Sequence, residues 1–97
     1  MTREQILEQL SARADEIRRR FRVASLAVFG SVARGECTPG SDLDVLVAFE
    51  GRSDFDRYMD LKFFLEDLLG MRVDLVTDAA LRPQLRPAVE QEAIHVA

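Results

Sequence analysis

Residues 42 to 49, Asp-Leu-Asp-Val-Leu-Val-Ala-Phe, alternate with the two-residue period of a β-strand. Val45, Val47 and Phe49 fall on one face, and Asp42, Asp44, Leu46 and Ala48 on the other. The chain must therefore build a sheet with one side buried, and two carboxylates stand on its opposite side. Alternate strand positions lie about 6.6 to 7 Å apart, close enough for two aspartates to hold metal ions between them.

The flanking segments supply the rest of a small α/β domain. Thr2 and Gln5 have the spacing of a capping box, and Ile6, Leu7, Leu10, Ala14, Ile17 and Phe21 recur at helical intervals. One amphipathic first helix is expected. Arg18, Arg19 and Arg20 close it, either as cations at the negative end of the helix dipole or as a basic patch for phosphates or a partner. Ala24 to Phe29 reads as a buried strand that runs into a turn at Gly30-Ser31, with a short helix from Ser31 to Gly35. Thr38, Pro39, Gly40 and Ser41 form a second turn before the aspartate strand. Ser53 can cap a helix from about Asp54 to Leu69, which Gly70 stops, and a third strand runs from Arg72 to Thr77. A short helix around Ala88 to Glu92 and an apolar tip at Ile94 and Val96 complete the chain. The order of elements points to α/β (α+β) architecture, a small sheet with helices packed on it. A length of 97 residues suits one domain, 1–97, around one core.

Composition narrows the chemistry. At 47% hydrophobic and 31% charged residues, the chain is of the packed, soluble type. Its apolar runs are too short to cross a bilayer, and Thr2, Arg3 and Glu4 do not open a signal peptide, so a cytoplasmic location and no membrane partner are expected. A single cysteine, Cys37, and a single histidine, His95, exclude an internal disulfide and the usual zinc sites. Any metal must then take oxygen ligands. The net charge of -4 argues against nucleic acid as a direct partner. Cys37 reads as an inert loop residue and His95 as structural.

The informative constellation is Gly30-Ser31, ten intervening residues, Asp42-Leu43-Asp44, and a further aspartate, Asp74, in the third strand. Carboxylates without softer ligands select magnesium or manganese, which leave coordination positions for water and a triphosphate. If the third strand lies beside the second, Asp74 reaches the same cluster and two metals can clamp an in-line displacement. Glycine lets backbone approach a phosphate closely, and the Ser31 hydroxyl adds a donor. Arg34 is open to two readings, a phosphate contact or a surface ion pair.

These residues resemble the minimal nucleotidyltransferases of the DNA polymerase β-like superfamily. The pattern is met by Gly30-Ser31, Asp42-Leu43-Asp44 and Arg72-Val73-Asp74-Leu75-Val76-Thr77, and the likeness extends to Leu81-Arg82-Pro83 and Glu92-Ala93-Ile94. The resemblance implies a mixed sheet flanked by helices, the polymerase β-like nucleotidyltransferase fold. It implies that Asp42 and Asp44 ligate two Mg²⁺ ions, that Asp74 is the third carboxylate and base, and that Gly30 and Ser31 hold the triphosphate of ATP. It further implies an antitoxin that places AMP on a tyrosine of a HEPN-family toxin with release of pyrophosphate. Two other functions stay open: a non-catalytic antitoxin that silences the toxin by binding, and nucleotidyl transfer to RNA or a small molecule. On the third helix, Tyr58, Leu61, Phe64, Leu65, Leu68 and Leu69 suffice for a core stripe, yet Phe55, Met59 and Phe63 form a second apolar row. That row either docks the toxin or a second copy, giving a hetero-oligomer or a homodimer, or lies beneath the C-terminal tail.

Overall fold

The computed structural model describes residues 1–36, 38, 40–52 and 54–97. The capping box forms as expected: Thr2 Oγ1 accepts from the Gln5 amide at 3.1 Å, and Gln5 Oε1 accepts from the Thr2 amide at 2.9 Å. The helix it starts is not continuous. α1 covers Arg3–Ala12 and α2 covers Ala14–Phe21, separated at Arg13, whose φ of -105° and ψ of 10° leave the helical region. Ile6, Leu10, Ile17 and Phe21 still share one buried stripe across the break. α1 thereby meets α4 (Phe55–Leu69), while α2 meets both α4 and the first strand. Neither glycine nor proline marks the bend in the sequence.

The arginines at the end of α2 are largely engaged on their own helix. Arg18 pairs with Asp15 at 3.4 Å, Arg19 Nε donates to the Asp15 carbonyl, and the Arg20 guanidinium lies 5.2 Å from the Phe21 ring centre and 5.3 Å from that of Phe64. All three occupy the last turn, where the macrodipole favours positive charge.

Among the described residues, four strands form one mixed sheet in the order β3-β2-β1-β4. β1 (Val23–Phe29) runs antiparallel to β2 (Leu43–Phe49), and β2 runs parallel to β3 (Val73–Thr77) through the crossover helix α4. The expected alternation of β2 is observed, with Leu43, Val45 and Val47 fully buried. These residues pack with Leu26, Val28, Val73 and Leu75 against Ile6, Leu10, Ile17, Leu61, Leu65 and Leu69 in one core cluster. The carboxylates stand on the sheet face turned away from that core.

α4 starts at Asp54, whose Oδ1 accepts from the Arg57 amide at 2.7 Å; Ser53, the expected cap, lies outside the described residues. Gly70 ends the helix in the left-handed region at φ 64°, as the sequence indicates. The helix is tied to β3 by the Tyr58 hydroxyl, which donates to the Leu75 carbonyl, and by Glu66 Oε2, which accepts from the Val73 amide at 3.0 Å.

The C-terminal region differs from expectation. α5 begins earlier, at Arg86, and runs to Glu92, with Pro87 in its first turn where a missing N–H is harmless. The apolar tip is a fourth strand, β4 (Ile94–His95), antiparallel to β1, and its backbone bonding continues from Val96 and Ala97 to Leu26. The tail therefore lies at the β1 edge and does not cover the second apolar row of α4. Phe55 is 74% and Phe63 53% exposed. His95 is exposed on β4, where its backbone pairs with Ala27. No helix is long and apolar enough to cross a membrane among the described residues.

Candidate active site

The site assembles where the N-terminal ends of β2 and β3 meet the C-terminal end of β1. Asp44 and Asp74 are direct partners across the parallel β2/β3 pair, so both side chains project from the same face of adjacent strands. On its other side Asp44 is opposite Phe29, the last residue of β1. Gly30 follows, and this register brings it under the Asp44 carboxylate. A Cβ on Gly30 would collide with that carboxylate, and Gly30 also has φ +73°, in the region that side chains rarely adopt. Only glycine fits both constraints. Ser31 is next, half-buried in the short helix α3 (Gly30–Ala33).

Asp42 stands just before β2 and is exposed. Its Oδ1 lies 3.3 Å from Nε of Arg72. The structure thus brings Asp44, Asp74 and Gly30 into contact range and places Ser31 at the same turn, while Asp42 faces a neighbouring arginine. Among the described residues, no three His, Cys, Asp or Glu side chains are gathered closely enough to hold a cation unaided. A cavity of about 690 Å³ borders Asp42, Ser41 and Arg72 but reaches neither Asp44 nor Asp74. The cavity is thus separate from the part of the open sheet face on which Asp44 and Asp74 meet.

Electrostatics single out Asp44. Partial burial pushes its carboxyl above the ordinary aspartate range, and Asp74 adds to the shift, followed by Asp42 and Glu92. Every charged group that contributes to that shift is another carboxylate. Such a set of hard oxygen donors fits a divalent cation whose remaining positions go to water and phosphate. Asp42, Asp44 and Asp74 are the residues that would hold it.

Glu92, which carries no role in the sequence pattern, is brought to this site by the fold. Its Oε1 accepts from the Gly30 amide at 2.9 Å, and its Oε2 lies 3.0 Å from Nη1 of Arg34. Arg34 also pairs with Glu36 at 3.2 Å, so the ion-pair reading of Arg34 describes the structure. The Gly30 hydrogen bond, and secondarily Arg34, hold the Glu92 carboxyl below the usual glutamate range. Glu92 is 62 positions from Gly30 in the chain, too far for any local pattern to join them. Cys37 lies outside the described residues.

Residues 10–96 match the nucleotidyltransferase domain family. The chain belongs to that family. Membership implies a nucleotide substrate and a divalent cation, in keeping with the donor set above. Over 96 residues this nucleotidyltransferase domain is 41% identical to the protein adenylyltransferase MntA of Thermococcus cleftensis, a match covering 99% of this chain and 97% of that one. A solved structure assigned as a minimal nucleotidyltransferase is 44% identical, superposes with a TM-score of 0.85, and is matched over 97% of this chain and 95% of its own. A more distant fold neighbour is a complex of the Shewanella oneidensis MNT antitoxin with its tri-AMPylated HEPN toxin. It is 18% identical with a TM-score of 0.68, covering 94% of this chain and 71% of that one.

Proposed function

We propose that residues 1–97 act as one nucleotidyltransferase domain that moves AMP from ATP to a HEPN-family toxin in the cytoplasm, and so serve as its antitoxin. The observation that carries the chemistry is the β2/β3 register, which sets Asp44 beside Asp74 with the Gly30-Ser31 turn against Asp44. The acceptor class is supported by the full-length likeness to MntA and by the fold shared with an antitoxin in complex with its AMPylated toxin.

In this reading Asp42 and Asp44, with Asp74, would hold two Mg²⁺ ions, which when bound would supply charge neutralisation to the triphosphate and the attacking oxygen. Gly30 and Ser31 receive the phosphates. Asp74, the more exposed of the strand pair, accepts the proton of the acceptor hydroxyl. That oxygen forms a bond to the α-phosphorus, the bond from the α-phosphorus to the bridging oxygen breaks, and pyrophosphate leaves. Gly30 sets the distance between phosphate loop and carboxylates, since any larger residue forces them apart.

Incubation with labelled ATP, magnesium and the product of the adjacent gene tests this, comparing wild type with Asp42→Ala plus Asp44→Ala. Label on the partner with wild type alone is the expected result. Neutralisation of the toxin by both proteins without label would replace catalysis by simple occupation. Label on RNA rather than protein would reassign the acceptor.

A further inference from the structure

The carboxylate of Glu92 closes a circuit that the transfer chemistry alone does not require. β4 pairs with β1 at Val28↔Ile94 and Ala27↔His95. The same antiparallel register extended by two residues sets Glu92 opposite Gly30. At that point the chain is already the end of α5, so no backbone carbonyl of a strand is there to accept from Gly30. The Glu92 side chain takes the amide instead, at 2.9 Å, in a part-buried setting. Its second oxygen holds Arg34, the residue that ends α3, at 3.0 Å. One carboxylate thus staples both ends of the helix that carries Gly30 and Ser31.

We infer that Glu92 is a positioning residue for the phosphate loop: by fixing the Gly30 amide and Arg34 it sets Ser31 and α3 against Asp44, and so determines nucleotide affinity. This rests on the proposed nucleotidyl transfer and adds the part played by the C-terminal segment. The physical argument turns on the tight place Gly30 occupies. Its Cα lies against the Asp44 carboxylate, so rotation of the Phe29–Gly30 peptide shifts the loop relative to the carboxylates that would hold the cation. An amide at a helix start has no partner within the helix. Removing its acceptor in a part-buried place leaves an unsatisfied donor, and the loop relaxes to find water. Glu92 spends both oxygens on this contact, which distinguishes it from the three aspartates. Its side chain is 27% exposed, so truncation opens no cavity in the core.

The test compares wild type, Glu92→Ala and Glu92→Gln in three measurements. These are calorimetric affinity for magnesium with a non-hydrolysable ATP analogue, exchange of the Gly30 amide in the ligand-free protein, and melting temperature. Glu92→Ala is expected to weaken binding by about tenfold or more, the effect of losing a charge-assisted hydrogen bond, and to unprotect the Gly30 amide. Glu92→Gln keeps an acceptor for that amide and recovers most of both. A general loss of structure would instead lower the melting point of both variants without this ordering. Analogue affinity in Glu92→Ala equal to wild type, or equal weakening in Ala and Gln, overturns the inference. Wild-type protein that binds no magnesium–nucleotide overturns the transfer reading and this inference together, whereas normal wild-type binding with an indifferent Glu92→Ala overturns this inference alone.

Discussion

Because Asp44 is half-buried on an interior strand and has Asp74, Asp42 and Glu92 as charged neighbours, its carboxyl keeps its proton to higher pH than an ordinary aspartate. Between the ordinary aspartate range and this raised value, the native protein binds more protons than the unfolded chain. Stability therefore falls as pH rises through that window and stays lower above it. Asp44→Asn removes the charge and keeps the shape. In metal-free buffer at pH 7 the variant should melt a few degrees above wild type. The gap should close as the pH is lowered below the ordinary aspartate range, where both side chains are neutral. Calorimetric melting of the two proteins from pH 3 to 8 measures this, and a gap independent of pH would assign the effect to something other than ionisation. An aspartate that weakens the fold in this way is costly unless a cation takes up its charge.

At the scale of elements, α4 shows two apolar rows with different fates. Leu61 and Leu65 are fully buried and Leu69 nearly so, whereas Phe55 and Phe63 face solvent. In urea unfolding, Leu65→Ala should cost about 2 to 5 kcal/mol, the range for a truncated core leucine. Phe63→Ser should stay within about 0.5 kcal/mol. The inward row was readable from the sequence because 3.6-residue periodicity is local, and the same holds for the alternation of β2 and the capping box at Thr2. The pairing of Asp44 with Asp74 was readable only conditionally, since nothing in either strand states which neighbour it takes. The break at Arg13 carries no residue signal, because the apolar stripe runs through it unchanged. β4 has two residues, too few for any periodicity to show, and it exists because β1 offers a free edge for it. Glu92 was hidden for the same reason: its place opposite Gly30 follows from a register that only β4 establishes.

The whole molecule is anionic, with a net charge of -4, and its candidate site gathers carboxylates from before β2, from β2 and β3, and from the end of α5. A triphosphate approaching this face alone meets repulsion from both sources. Nucleotide and divalent cation should therefore bind as a pair, and their effect on stability separates the components. Whatever binds only the native state raises its stability by mass action, about 2.7 kcal/mol at a hundredfold excess over Kd. In a domain of this size that corresponds to a rise in melting temperature of about 10 °C or more. Magnesium with ATP should give this rise, ATP with a chelator almost none, and magnesium alone a smaller one through relief of the repulsion at Asp44. Asp42→Ala plus Asp44→Ala should abolish the combined effect while leaving the ligand-free melting point as high as wild type or higher. A full rise with ATP and chelator, or one retained by the double variant, would place the nucleotide on another surface, since no arrangement of these carboxylates favours a bare triphosphate.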